Sequence, residues 1–229
     1  MRKVRKKKLK KLAKPILYYV HDPMCSWCWA FKPMWQTLEP MLKDCLDIRL
    51  LLGGLAIDND DPMPVAQKEQ ISQIWKHIEQ VVPGTRFNHE FWTKCTPKRS
   101  TYPACRAVIS AGLQKPGHES VMIDAIQKAY YLDARNPSES DTLERIAGEI
   151  GLDVSEFDRD IHLASTHLAL EQQIFLSRTM GVRGFPGLAL KQNESTTLIE
   201  VDYHNPDTMV NAIENVLEED YRASFSVCL

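Results

Sequence analysis

The chain has 229 residues, 44% apolar and 25% charged, which suits one large globular domain or one fold carrying an insertion. Six cysteines in that length are too sparse for a disulfide scaffold. No apolar run reaches the ~18 residues of a membrane span, which sets aside a membrane protein.

The net charge of −2 divides into nine Lys or Arg without an acid in residues 1–14 and −11 over the rest. This basic tail reads as a solvated, disordered extension, with no nucleic-acid or membrane partner expected. The apolar stretch behind it, Ile16–Val20, is shorter than the ~7–15 residues of a signal-peptide core. The expected location is therefore cytoplasmic, where reducing conditions make a Cys-x-x-Cys catalytic more often than structural.

Ile16–Val20 is short, continuously apolar and aromatic, which predicts a buried strand. His21-Asp22-Pro23-Met24-Cys25-Ser26-Trp27-Cys28-Trp29 follows and opens a helix over about 26–43, with a kink or early break at Pro33 or Pro40. Leu46–Leu52 is a second strand ended by Gly53-Gly54, making a βαβ unit. From Asp58 the pattern is helical for over a hundred residues. Helices are predicted at Val65–Val82, Asn88–Lys94, Tyr102–Leu113, Glu119–Leu132 and Thr142–Ile150, the last capped by Ser140-Asp141. A further helix, capped by Ser155, runs on toward Met180. Leu188–Leu190 and Thr196–Val201 flank a polar turn and read as a hairpin. Asn205-Pro206 starts a final helix to about Tyr221.

Cys25 and Cys28 carry the chemistry. A helix start leaves unpaired N–H groups and a positive dipole end beside the first sulfur, both of which favour the thiolate. Cys25, nearer that end and nearer solvent, is the expected nucleophile, and Cys28 the resolving thiol. A closed zinc site needs four ligands, and Cys45, Cys95, Cys105 and Cys228 form no second Cys-x-x-Cys; no metal is expected. Cys45 and Cys105 read as core thiols, with Cys95–Cys105 the alternative as a second redox pair. His21 and Asp22 are candidate modulators of the thiols, and a neutral surface role for His21 stands beside the catalytic one.

The element order, β-α-β, a helical block, then β-β-α, is that of an α/β thioredoxin fold with helices inserted after the second strand. The expected division is 15–57 with 172–222 as the discontinuous thioredoxin domain and 58–171 as the helical insertion. In that fold a cis-proline precedes the third strand, and Gly184-Phe185-Pro186 falls there. Asp22–Trp29, Gly181–Pro186 and Thr101–Ala107 together resemble the DsbA family of thioredoxin-like proteins, closest to its FrnE-like cytosolic branch. The resemblance covers about residues 15–220.

It implies a thiol-disulfide oxidoreductase, or protein disulfide isomerase, with Cys25 and Cys28 catalytic and Pro186 in the substrate loop. Phe185, Trp27 and Trp29 are the expected apolar substrate surface, and Arg183 would assist if it turned inward. The only redox group expected is the Cys25–Cys28 disulfide, with glutathione as a candidate reductant. Many relatives carry a buried acid about six residues before the first Cys, where this chain has Tyr19. The alternative is a kappa-class glutathione transferase or a 2-hydroxychromene-2-carboxylate isomerase on the same inserted fold. Both use a single Ser or Cys, so the paired thiols argue against them. A binding module using the basic tail ranks third.

Overall fold

A computed structural model of the protein describes residues 14–219, 221, 222 and 225. The basic tail, apart from Lys14, and Cys228 lie outside the described residues.

Strand β1 (Ile16–His21) lies at the centre of a mixed four-stranded sheet, order β2-β1-β3-β4. It pairs in parallel with β2 (Asp47–Leu52) and antiparallel with β3 (Gly187–Gln192). β4 (Ser195–Ile199) closes the edge as a hairpin over a two-residue turn in which Asn193 is left-handed, φ 51°. Alternation along β1 sends Leu17 and Tyr19 to one face and Tyr18 and Val20 to the other.

The first face is covered by α1 (Ser26–Leu42) and by α9 (Pro206–Val216). Helix α1 buries Phe31, Trp35, Leu38 and Leu42, one apolar stripe at helical spacing. Of the kink or early break expected at its prolines, the break does not occur: α1 is continuous for 17 residues through Pro33 and Pro40. Each proline removes one N–H and leaves the buried stripe intact, so packing holds the helix together. Asn205 caps α9, its side chain accepting the Asp207 N–H at 3.0 Å. That helix stops at Val216, short of the expected Tyr221. Gln192 donates to the Val216 carbonyl at 2.6 Å and accepts the Glu218 N–H at 3.0 Å, satisfying the helix end from the hairpin.

Between β2 and β3 lie α2 (Val65–Val81), α3 (Phe91–Lys94), α4 (Tyr102–Gln114), α5 (His118–Tyr131), α6 (Ser140–Glu149), α7 (Val154–Ile161) and α8 (Ala164–Thr179). Two caps differ from expectation. Glu139 precedes α6, with Ser140 and Asp141 already in its first turn. Asp153, rather than Ser155, caps α7 by accepting the Glu156 N–H at 2.7 Å; a carboxylate one residue before the helix reaches that donor and a hydroxyl inside the first turn does not. The expected boundary at 171/172 falls within the unbroken α8.

These helices close around Trp75, which packs against Phe87 and Trp92 with ring centroids 4.7 Å away in each case. Met24, Ala30 and Leu52 from the β-α-β portion join the same core. The start of α1 is thus held between the sheet and the helical block. No helix among the described residues is long and apolar enough to cross a membrane.

Candidate active site

The site begins with a tight turn. Pro23, with its fixed φ, sits second in Asp22-Pro23-Met24-Cys25, and the Cys25 N–H donates to the Asp22 carbonyl at 3.0 Å. The Asp22 carboxylate reinforces it by accepting the Met24 N–H at 2.8 Å. Cys25 is the N-cap of α1, in extended backbone, and no side chain caps the first-turn donors. The free first-turn amides and the positive helix end therefore lie at Cys25.

Register brings the second half of the site alongside. Val20 near the end of β1 is paired with Gly187 at the start of β3. The residues just before Gly187 therefore lie beside the turn just after β1. The Phe185–Pro186 peptide is cis, and the Cys25 thiol donates to the Phe185 carbonyl at 3.5 Å. The Phe185 ring lies against Gly53, where the Cβ of any other residue would overlap it. Gly53 is itself fixed by donating its N–H to the His21 carbonyl at 2.7 Å. Gly54 next to it has φ +62° and a side chain there would meet Ile174 and Tyr102, so this corner accepts only glycine.

Cys25 is 6% exposed and Cys28 1%, so both thiols are buried, the first slightly less. Both are free thiols. Burial pushes the Cys28 thiol well up, and the neighbouring Cys25 adds to the rise. The Asp22 backbone works in the opposite direction.

His21 and Asp22 are both buried, so the surface role for His21 is corrected: it is 3% exposed. Burial lowers its pKa to about 4, leaving it neutral at physiological pH. Asp22 accepts from the Leu55 N–H and the Thr101 hydroxyl, both at 2.7 Å, and from the Cys105 thiol at 3.5 Å. Burial raises its pKa and these donors oppose the rise. The carboxylate is thus a junction between the active-site turn, the end of β2 and the start of α4. Cys105 is tied to it, while Cys95 donates to the Ala134 carbonyl at 3.1 Å; both are free thiols with separate acceptors.

Trp29 stacks on Tyr131, centroids 5.5 Å apart, and donates its Nε1–H to the Arg86 carbonyl at 3.1 Å. Trp27 is half-buried and packs edge-on to Tyr203 at 5.4 Å and His77 at 6.1 Å. Arg183 is exposed and does not turn inward. Tyr203, which also packs on Phe31 and is pushed up in pKa first by burial and then by the nearby thiols, belongs to the site without any sequence signal. Thr101 and Cys105 lie in a segment that the sequence does mark, although their tie to Asp22 joins elements too distant in sequence to be read together. Among the described residues no cluster could hold a metal ion.

The sequence profile of the thioredoxin family matches residues 18–211. The ClpXP adapter protein SpxH of Halalkalibacterium halodurans is 26% identical over 90% of this chain and 69% of its own length. The protein of the same name in Bacillus subtilis is 23% identical over 76% of this chain and 58% of its own. The chain thus spans little more than half of that second relative. Among solved structures, a candidate protein disulfide isomerase from Nitrosomonas europaea aligns with TM-score 0.76 and 25% identity, covering 89% of this chain and 97% of that one. The cytosolic disulfide reductase DsbM of Pseudomonas aeruginosa, also solved with GSH, aligns with TM-score 0.66 and 22% identity, covering 93% and 97%. With its mixed sheet, its helices between β2 and β3, and neighbours of the DsbA oxidoreductase type, the chain belongs to the thioredoxin family.

Proposed function

We propose that the protein is a cytoplasmic thiol-disulfide oxidoreductase whose reacting groups are Cys25 and Cys28. The observation that carries this reading is the pair itself. Two free thiols lie one helical turn apart at an uncapped helix N-terminus, and the outer one lies against the Phe185 carbonyl. The Cys25 thiolate attacks a substrate disulfide, forming one S–S bond and releasing one substrate thiolate, which takes a proton from solvent. Cys28 then attacks Cys25, releases the second substrate thiol and closes the Cys25–Cys28 disulfide. Two electrons pass from the pair to the substrate, and the reverse sequence oxidises a dithiol. Pro186 and the Phe185 backbone line the substrate path beside Cys25. Glutathione is the candidate reductant, a reading favoured by the GSH-bound DsbM neighbour.

The curated relatives favour a second reading, a ClpXP adapter on the same fold. The test is the reduction potential of the pair against glutathione, with Cys25→Ser and Cys28→Ser beside it. A two-electron transition lost in both variants supports the enzyme. A potential near about −270 mV then marks a reductase and one near about −120 mV an oxidant. No transition, with ClpXP-dependent proteolysis of a protein stimulated equally by both variants, favours the adapter. Glutathione-conjugating or isomerase activity retained by Cys28→Ser favours the transferase-like alternative.

A further inference from the structure

β2 is the outer strand of the sheet, and its pairing with β1 fixes which backbone groups it turns away. The Asp47 and Gly53 amides donate to the Pro15 and His21 carbonyls at 2.9 and 2.7 Å. Successive residues of a strand point their N–H and C=O to opposite sides, so Ile48, Leu50 and Leu52 face outward. Leu52 is capped there, its N–H donating to the Gln173 Oε1 at 2.8 Å. The outward groups of Ile48 and Leu50 have no hydrogen-bond partner among the described residues. Such edges are commonly blunted by lysine, proline or a covering segment. Arg49 is turned to the other face of the sheet and pairs with Asp47 at 2.7 Å, and Leu50 is left 39% exposed.

This edge forms one wall of a groove of about 560 Å³, and α4 with the start of α5 forms the other. Ile48 and Leu50 line it from the strand; Ile109, Leu113 and Ile123 line it from the helices. Its charged lining is two carboxylates, Glu39 and Glu119, with no Lys or Arg among the described residues, and neither carboxylate is ion-paired among them. Glu119 lies across Gly112, where any Cβ would meet its carboxylate. The groove reaches His21, on the same side of β1 as Leu17 and Tyr19, whereas Phe185 packs on the Tyr18 and Val20 side. It therefore lies across the sheet from the Phe185 carbonyl and Cys25.

We propose that this groove docks an extended segment of a protein partner, added as a strand to β2 at Ile48 and Leu50, apolar at alternate positions and flanked by Lys or Arg. The free N–H and C=O groups supply the backbone bonds of strand addition, and the apolar walls take every second side chain of the added strand. Glu39 and Glu119 select its charge, helped by the −11 carried outside the basic tail. A second copy joined β2 to β2 would bring a second set of the same carboxylates to one groove, so like charges disfavour it. Docking here leaves Cys25 open, and it does not depend on thiol chemistry.

The probe is the acetylated, amidated peptide Lys-Lys-Val-Thr-Val-Thr-Val-Lys-Lys, titrated into the ¹⁵N-labelled full chain. The expected result is shifted and exchange-protected Ile48 and Leu50 amides, with binding weakened by salt. Two further peptides are N-methylated, one on the valines and one on the threonines, so that each blocks one edge of the strand. One of them should lose affinity about tenfold or more, the effect of a few backbone hydrogen bonds, and the other should bind as before. The same peptide with Glu for Lys should not bind. Leu50→Lys, its fold checked by a thermal melt, should weaken binding about tenfold through lost apolar contact. Glu39→Gln with Glu119→Gln should remove most of the salt dependence. Saturating peptide should leave the rate of Cys25 alkylation by iodoacetamide unchanged. Both methylated peptides binding equally, the Glu peptide binding as well as the Lys peptide, or Cys25 protected by peptide overturns the proposal. So does protection of Ile48 and Leu50 before peptide is added: independent of concentration it assigns the edge to residues 1–13, and rising with concentration to a second copy.

Discussion

The carboxylate of Asp22 accepts the Thr101 hydroxyl and the Leu55 N–H at 2.7 Å each, so one buried side chain links the turn before Cys25 to α4 and to the end of β2. A carboxylate suits this place because every group around it is a donor, and it accepts without needing to give.

Replacing Asp22 by Ala is expected to leave the Leu55 and Met24 amides without their acceptor and to leave the Thr101 hydroxyl only its longer bond to the Ala56 carbonyl. At about 1–3 kcal/mol for each unsatisfied group, the loss is several kcal/mol. Asp22→Asn keeps the shape but turns an NH₂ toward donors, and falls between the two. Urea unfolding of the three chains measures this, and a loss in Asp22→Ala below that of Asp22→Asn contradicts the junction role.

The pH dependence of stability follows from the residue next to it. His21 has a folded pKa of about 4 against 6.5 for the free side chain. The unfolded chain therefore binds the extra proton between those values, and stability must fall with acid across that window. The contribution is complete above pH 6.5 and is lost as pH drops toward 4, on the order of 3 kcal/mol. Asp22 acts oppositely: its raised pKa lets the folded chain hold a proton more readily, an effect lost as pH rises through the folded value. In His21→Leu the acid slope between pH 6.5 and 4 should flatten or reverse, as read by urea midpoints at each pH. An unchanged slope removes His21 as its source.

The strand-helix-strand opening, the hairpin and the Asn205-Pro206 cap were legible because each rests on local chemistry: a short apolar run, a polar turn, a cap followed by proline. The thiol pair was legible for the same reason, as its spacing and its place at a helix start lie within a dozen residues. Continuity of α1 through Pro33 and Pro40 was not legible, since it depends on a buried stripe packed against the sheet and α9. Neither was the Asp22–Thr101–Cys105 junction nor the approach of Tyr203, which join residues brought together only by the tertiary fold. His21 is buried at the end of a central strand, and nothing in its neighbours in sequence shows that.

Gly53 sets where Phe185 sits, and so where its carbonyl meets Cys25. Gly53→Ala places a methyl into the Phe185 ring, which must move away and take the carbonyl with it. Overpacking of this kind costs about 1–3 kcal/mol, which the sheet should survive. Misplacing a group at the reacting sulfur by about 1 Å can cost on the order of a hundredfold. The expected outcome is a folded chain whose Cys25 reacts with glutathione disulfide roughly tenfold to a hundredfold more slowly. A Gly53→Ala chain reacting at the original rate shows that the Phe185 carbonyl has no part in it.

The two tryptophans flanking Cys28 should separate in function, because their surroundings differ. Trp29 is committed to packing through its stack on Tyr131 and its hydrogen bond to the Arg86 carbonyl. Trp29→Phe keeps most of the stack and loses the hydrogen bond, so it should lower stability by about 1 kcal/mol and leave the reaction of Cys25 with disulfides unchanged. Trp27 is half-buried, packs edge-on to Tyr203 and His77 at the rim of the helical core, and lies between the two thiols in sequence. An apolar face in that position can contact a protein substrate without disturbing the core. Trp27→Ala should therefore weaken reduction of a disulfide in an unfolded protein more than that of glutathione disulfide, by about tenfold or less, the effect of losing one aromatic contact. Paired rates for the two substrates with each variant decide the matter. Equal losses on both substrates for Trp27→Ala assign it to packing, and a substrate-dependent loss for Trp29→Phe transfers the contact surface to Trp29.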